Sequence, residues 1–222
     1  MKIGIMQPYF LPYIGYFQLI DSVDIYVNLD HVAFMKGSYM TRNILKNETK
    51  INVNVIRGSQ NKKCNEIYVN LEDNYISKFK KTLSNLYFKE INYEEIMDGI
   101  INPEFIPKRI TISEFNLNLI KRICKYLEIK TDIIETSEGL TSLKKGEGLK
   151  EISKIFKAEH YINAIGGRVL YDKENFKKDG ITLNFIEMGD IIFDKKYNSI
   201  LDILFRYEKK SIINEIKKYN FV

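Results

Sequence analysis

The apolar and polar positions at the start of the chain predict a strand, a helix and a second strand in close succession. Residues 2–6 form a short apolar run that stops at a Gln-Pro pair, as a buried strand does. Residues 14–20 then carry apolar side chains at helical spacing up to Asp21, and residues 23–27 form another apolar run. This succession is typical of the opening of a parallel α/β sheet.

The middle of the chain has the pattern of a helical insertion. In order, it predicts two short strands and three helices, at residues 42–45, 51–56, 73–88, 90–101 and 111–127. Thr111 and Glu114 have the spacing of a capping box at the start of the third helix. We therefore expect a helical insertion at about residues 73–128.

Strands and helices alternate again in the last third of the chain. The predicted elements are strands at 132–135, 161–165 and 181–187, helices at 149–157 and 172–178, a helix from Ser199, and a last amphipathic segment to about Tyr219. Ser199 and Asp202 have the spacing of a second capping box. With no linker or repeat, we predict one α/β domain over residues 1–222, with a Rossmann-like, mostly parallel sheet flanked by helices.

Composition and charge exclude several classes of protein. The chain has 34 basic and 29 acidic residues, and its net charge of +5 is spread along the sequence rather than gathered in a DNA-binding arm. The chain has only two cysteines, far apart in sequence, and two histidines. The sequence therefore indicates neither a zinc site nor a disulfide framework. With neither a signal peptide nor a membrane span in the pattern, we expect a cytoplasmic protein. Its spread charge is suited to handling anionic small molecules or to touching nucleic acid locally.

The most informative segment is residues 3–46, which combines aromatic residues, prolines and hydrogen-bonding groups. It contains Gln7-Pro8, the run Phe10-Leu-Pro12-Tyr13-Ile-Gly15-Tyr16-Phe17, the aspartates Asp24 and Asp30, and the pair Arg42-Asn43. These motifs closely resemble the WbqC-like family. The resemblance continues at Tyr161–Tyr171 around Gly166-Gly167, at Phe176 with Gly180-Ile181, and at Ser199–Phe205, and therefore spans nearly the whole chain.

This resemblance implies a function in O-antigen or lipopolysaccharide biosynthesis. Members of the family accompany enzymes that make unusual amino sugars, and such a protein is a candidate for attaching a glycyl group to a sugar amine. The substrate implied is a nucleotide-linked amino sugar. The acyl donor stays open between glycine activated by ATP and an aminoacyl-tRNA.

A fainter resemblance concerns the first turn of the first helix. Tyr13-Ile-Gly15-Tyr16 occupies the place of the HxGH signature of nucleotidylyltransferases and class I synthetases. There, the small glycine lets a nucleotide approach a helix N-terminus that favours phosphate. Tyrosine carries no positive charge at neutral pH, so this turn is better suited to binding a nucleotide than to stabilising an adenylyl-transfer transition state.

The candidate site residues follow from the needs of acyl transfer, which are an anion site, a base and donors facing the oxyanion. His31 or Asp30 is the candidate base, Lys36 and Arg42 would hold phosphates, and Gly166-Gly167-Arg168 would form an anion-binding nest. The candidate catalytic residues are Tyr16, Asp30 and His31, and the candidate substrate-binding residues are Gln7, Tyr13, Gly15, Asp24, Lys36, Arg42, Asn43, Gly166, Gly167 and Arg168.

Each of these residues also has a structural interpretation. Tyr13 and Tyr16 are equally typical of core aromatics. Asp24 is equally typical of a helix cap or an ion pair, and Lys36 of a solvated lysine. Two other functions stay open: a nucleotidyltransferase, and a carbohydrate-binding or assembly protein without catalysis. The oligomeric state is open as well, with a homo-oligomer among the alternatives.

Overall fold

The structure is a computed structural model that describes residues 1–102, 104, 107, 109–140 and 145–222. Within these residues there are eight strands: β1 Lys2–Met6, β2 Ile25–Asn28, β3 Arg42–Ile44, β4 Lys50–Asn52, β5 Asp132–Ile134, β6 His160–Ala164, β7 Thr182–Met188 and β8 Tyr219–Phe221. There are eight α-helices: α1 Ile14–Asp21, α2 Asp73–Tyr87, α3 Tyr93–Ile96, α4 Ile112–Tyr126, α5 Lys145–Ile155, α6 Lys173–Lys177, α7 Ile200–Arg206 and α8 Lys209–Ile216. No helix in these ranges is long and apolar enough to cross a membrane.

Six of the strands form one sheet in the order β5-β2-β1-β6-β7-β8. All neighbours pair in parallel except β8, which runs antiparallel to β7. The chain winds outward from β1 to β2 and β5 on one side, and continues from β6 to β7 on the other. This confirms the predicted Rossmann-like α/β fold. In such sheets, the place where the strand order reverses, here between β1 and β6, is where ligands bind.

Helices cover both faces of the sheet because successive side chains of each strand point to opposite faces. Ile3 and Ile5 of β1 pack under α5 and α6, in one apolar cluster with Leu149 and Phe176. The other face carries a larger cluster that includes α1, α4, α7 and α8. Gly4 belongs to this second face, where an added Cβ would lie 2.7 Å from Leu19 Cδ2. Glycine at this position therefore lets α1 lie directly on β1.

The segment between β2 and β5 holds the predicted helical insertion and the crossover helix. The hairpin β3-β4 comes first, and α2, α3 and a π-helical turn at Met97–Ile101 follow. α4 begins with the expected capping box: Thr111 Oγ1 accepts from Glu114 N, and Glu114 Oε2 accepts from Thr111 N. Because α4 leads into β5 and buries Ile120 and Ile123 in the larger cluster, it is the crossover helix of the sheet.

Two expectations at the C-terminal end were wrong in detail. The last amphipathic segment was expected to reach about Tyr219 but ends at Ile216, and residues 219–221 form β8, a strand that was not predicted, because the free edge of β7 pairs with them. The second capping box is only half formed. Ser199 Oγ accepts from Leu201 N, whereas Asp202 is turned into the core and accepts a 2.8 Å hydrogen bond from Tyr87.

Candidate functional site

A pocket of about 530 Å³ lies at the carboxyl ends of β1 and β6, where the strand order reverses. Met6 and Gln7 line it on the β1 side, and Asn163 and Ala164 line it on the β6 side. Seven tyrosines contribute to its lining: Tyr9, Tyr13, Tyr16, Tyr39, Tyr161, Tyr171 and Tyr197. We call it the tyrosine pocket. Its size and its combination of aromatic rings with a few amide groups are typical of sites for small organic ligands.

The wall between β1 and α1 is held in place by buried asparagines. Asn43 Nδ2 donates to the carbonyl oxygens of Phe10 and Leu11, at 3.1 and 2.7 Å. Asn116 Nδ2, on α4, donates to the carbonyl oxygens of Pro8 and Met40, at 3.0 and 2.8 Å. Leu11 has a positive φ of 45°. This conformation costs energy and persists only where the surrounding structure holds it. The amide of Asn43 therefore lines the pocket while its hydrogen bonds shape the wall.

Tyr16 forms the buried floor of the tyrosine pocket. Its hydroxyl donates to the Gln7 carbonyl at 2.7 Å and also contacts the Tyr26 hydroxyl. Burial raises the pKa of Tyr16 well above its usual value, and the neighbouring Tyr26 raises it further. The phenol therefore stays protonated at neutral pH, and in this arrangement it positions the pocket wall.

Tyr13 and Gly15 interact directly at the first turn of α1. A Cβ on Gly15 would lie 2.4 Å from Tyr13 Cε2, so glycine leaves the space that the tyrosine ring occupies. On its other side the Tyr13 ring lies 5.9 Å, centroid to centroid, from exposed Tyr197. The space that the absent side chain of Gly15 leaves is therefore filled by the Tyr13 ring.

The turn after β6 forms the opposite wall. Asn163 Oδ1 accepts from Ala164 N at 2.8 Å, and the same side chain lies against Gly167, where a Cβ would come within 2.5 Å of Asn163 Nδ2. Gly166 and Gly167 both line the pocket. Exposed Arg168 follows them but does not contribute to the lining.

A second pocket, of about 610 Å³, adjoins the first and has a different character. Its charged lining residues in the described part of the chain are Lys62, Lys63 and Lys145, with His31 beside them. We call it the basic pocket. The two pockets share four lining residues, Gln7, Leu29, Leu149 and Tyr171, and are therefore contiguous.

Asp30 fixes the position of His31 in the basic pocket. The buried Asp30 carboxylate accepts hydrogen bonds from Ser137 N at 2.8 Å, Ser137 Oγ at 3.0 Å and Thr136 Oγ1 at 2.7 Å. The backbone N–H of His31 donates to the same Ser137 hydroxyl, and Nε2 of the His31 ring contacts Lys63 Nζ. Asp30 therefore acts on the loop rather than on a ligand, and His31 is the imidazole that lines the pocket.

Four of the predicted binding residues lie outside both pockets. Asp24 is at the amino end of β2, where it accepts a 2.7 Å hydrogen bond from Lys2 N, so it lies at the opposite edge of the sheet. Lys36, Arg42 and Arg168 are exposed and are absent from both linings. We do not assign these four side chains to the site.

The structure adds residues that sequence reasoning missed. Lys62 and Lys63 lie in a segment without periodicity, where adjacent lysines are most often solvated charge. Tyr171 and Tyr197 follow turns far along the chain, and only the tertiary fold brings them to β1. Asn116 had a readable signal, since a polar residue between Phe115 and Leu117 interrupts an apolar helix segment.

Within the described residues, no group of three or more His, Cys, Asp or Glu side chains is arranged to hold a metal ion.

Comparisons with known proteins agree with the resemblance noted in the sequence. The model of the WbqC-like protein family matches residues 7–214. The chain is also similar to the uncharacterized protein Rv1507c of Mycobacterium tuberculosis, with 26% identity over 215 residues, which are 92% of this chain and 93% of the relative. No solved structure gives a significant match. Since the family model covers nearly the whole chain, this protein belongs to the WbqC-like protein family.

Proposed function

We propose that this protein binds a nucleotide-linked amino sugar and transfers an acyl group, specifically a glycyl group, to the sugar amine in surface-polysaccharide biosynthesis. The observation that carries the proposal is the tyrosine pocket at the reversal of strand order, with amide side chains among aromatic rings. Aromatic faces stack on sugar rings, and amides donate to hydroxyl groups. The proposal also accords with the association of WbqC-like proteins with polysaccharide biosynthesis.

The reaction requires a neutral amine and a polarised acyl carbonyl. The amine nitrogen attacks the carbonyl carbon of the activated acyl donor, a C–N bond forms, and the bond to the leaving group breaks. The leaving group is AMP from a glycyl adenylate, which forms from glycine and ATP with release of pyrophosphate, or the terminal ribose hydroxyl of a tRNA, whose oxygen takes up a proton as it leaves. The amine proton passes to a base, for which we propose His31, while Asp30, through Ser137, holds the backbone of the loop that carries this imidazole. The amides of Gln7 and Asn163 are our candidates for donation to the oxyanion.

The direct test is a transfer assay with purified protein. A panel of nucleotide-linked 4-amino sugars is incubated with either glycine and ATP or glycyl-tRNA, and mass spectrometry detects the addition of one glycyl residue. The same nucleotide sugars with an acetylated amine are the matched control and should not react. We expect His31→Gln to lower turnover, because glutamine cannot take the proton. Absence of product with every donor and amino sugar would refute acyl transfer.

A carbohydrate-binding function without catalysis is the second candidate, and the abundance of tyrosine in the pocket lining favours it. Calorimetry distinguishes the two functions. A carbohydrate-binding protein should bind a glycan without the nucleotide, whereas the proposed enzyme should prefer the nucleotide-linked sugar. The nucleotidyltransferase alternative has less support, because the Tyr13 ring fills the space beside Gly15 that a nucleotide would approach.

A further inference from the structure

We propose that the basic pocket binds the diphosphate of the nucleotide-linked sugar, while the sugar occupies the tyrosine pocket. This inference rests on the proposed function for its substrate class and adds a second subsite with its own residues. The charge of the lining is the first observation. Lys62, Lys63 and Lys145 contribute three ammonium groups, and none of the described lining residues is Asp or Glu. A pocket lined in this way favours an anionic group.

Three acidic side chains that are close in sequence to lining residues have other partners. Asp30 accepts three hydrogen bonds from Thr136 and Ser137. Glu66 accepts a 2.7 Å hydrogen bond from Lys63 N, and the Glu147 carboxylate lies 2.7 Å from Lys150 Nζ. None of these carboxylates belongs to the pocket lining. Lys63 Nζ contacts His31 Nε2, and none of the described lining residues supplies a carboxylate to the three lysines, so their charges attract a bound anion.

Backbone hydrogen bonds fix the segment that carries Lys62 and Lys63. Ala33 and Lys63 form an antiparallel bridge, Phe34 N donates to Lys62 O, and Cys64 N donates to Val32 O. The Cys64 thiol donates to Asp30 O at 2.7 Å. The segment that carries the two lysines is thereby paired with the segment that carries His31. Cations on a fixed backbone lose less conformational freedom when they bind an anion.

The opposite side of the pocket is the first turn of α5. Lys145 and Gly148 line the pocket, and this eleven-residue helix begins at Lys145. The positive end of the helix dipole adds to the attraction that the lysines supply. Lys150 anchors the helix, because its ammonium group is buried and lies 2.7 Å from both Glu147 and Asp179.

The junction of the two pockets fits a ligand with two chemically different parts. Gln7, Leu29, Leu149 and Tyr171 contribute to both linings, so the two pockets lie side by side. A sugar nucleotide joins a neutral sugar ring to an anionic diphosphate by one bond. The arrangement therefore orients the substrate, with the sugar over the tyrosines and the phosphates against the lysines.

The test uses inorganic pyrophosphate as the probe of the basic pocket and measures its affinity by calorimetry. We expect wild-type protein to bind pyrophosphate and to bind it more weakly at high salt. Lys63→Gln and Lys62→Gln should each weaken binding by about 10- to 100-fold, as expected for loss of a hydrogen bond to a charged group. Lys62 is exposed, so its replacement leaves the fold intact even if Lys63→Gln does not. The control is Lys178→Gln, an exposed lysine outside both pockets, which should bind as wild type does.

The outcomes separate this subsite from the proposed function. No binding of pyrophosphate by wild type, or equal losses in Lys178→Gln and Lys62→Gln, would overturn the subsite even if glycyl transfer is found. Lysine-dependent binding of pyrophosphate without any acyl transfer would support the subsite and count against the proposed function. Tyr13→Ala should weaken binding of a nucleotide-linked sugar but leave that of pyrophosphate unchanged, and an equal loss for both would contradict two distinct subsites.

Discussion

Replacing Asn43 with aspartate tests whether its amide holds the wall of the tyrosine pocket. The side chain is 6% exposed and its Nδ2 donates to two backbone carbonyl oxygens, those of Phe10 and Leu11. Its Oδ1 accepts from Ile44 N at 2.8 Å. Asn43→Asp keeps the size and the accepting oxygen, but it puts a second oxygen against the two carbonyls. The substitution therefore removes both donated hydrogen bonds and leaves two buried acceptors without a partner.

The expected cost follows from those two acceptors. A buried polar group left unsatisfied costs about 1–3 kcal/mol, so the free energy of unfolding should fall by about 2–6 kcal/mol at neutral pH. With a urea dependence of about 2–3 kcal/mol per molar for a chain of this size, the unfolding midpoint falls by about 1–3 M. Burial beside carbonyls raises the pKa of the new carboxyl in the folded state, so the defect should shrink as the pH falls toward about 5, where the protonated acid donates again.

Urea unfolding followed by circular dichroism measures this effect, and the chain offers a matched control. Asn54 is exposed, and its Oδ1 accepts a 3.0 Å hydrogen bond from Asn52, which a carboxylate would also accept. Asn54→Asp makes the same change of charge and should alter the free energy of unfolding by less than about 0.5 kcal/mol. If Asn43→Asp unfolds at the same urea concentration as Asn54→Asp at neutral pH, the amide does not hold this wall.

Three further predictions concern other parts of the fold. Gly15→Ala should displace the Tyr13 ring and weaken binding of the nucleotide-linked sugar. It should cost little stability, since alanine favours helix. Because both changes act through the same ring, combining Gly15→Ala with Tyr13→Ala should add no further loss of affinity. Hydrogen bonds from two lysine ammonium groups lower the pKa of Asp179 to about 2, so its stabilisation is full above about pH 4 and is lost as the pH falls toward 2. Asp179→Asn should therefore lower the urea midpoint at neutral pH, and a deficit that persists unchanged near pH 2 would contradict the ion pair. Burial raises the pKa of Cys64 and Cys124 to about 12, so a thiol reagent should modify them only after unfolding, and rapid reaction of the native protein would refute their burial.

The sheet and its helices were predictable because they depend on apolar periodicity that extends over whole elements. The parallel pairing of β1 with β2 and β6 follows from short buried runs separated by helices. β8 was missed because three residues carry too little pattern to indicate a strand, and the edge of β7 supplies what the local sequence lacks. Long-range pairing of this kind is invisible to reasoning from neighbouring residues.

The site was predictable only where a local motif fixed it. The segment with Gln7, Tyr13 and Tyr16 does line a pocket, since the chain must turn from β1 into α1 at the carboxyl edge of the sheet. Arg42 was expected near this edge, but it lies on β3 with its side chain in solvent. The cations that do line a pocket, Lys62 and Lys63, come from a segment whose position depends on pairing with residues thirty positions earlier in the chain.

The long connection between β2 and α4 explains how a common sheet acquires a particular binding surface. Tyr39 and Asn43 from this connection line the tyrosine pocket, and Lys62 and Lys63 line the basic pocket. The connection is also part of the core, because Phe34 is fully buried. Its removal would therefore expose the sheet as well as destroy both pockets. Binding and stability are coupled in this segment, so a ligand that contacts its lysines should also raise the free energy of unfolding of the whole protein.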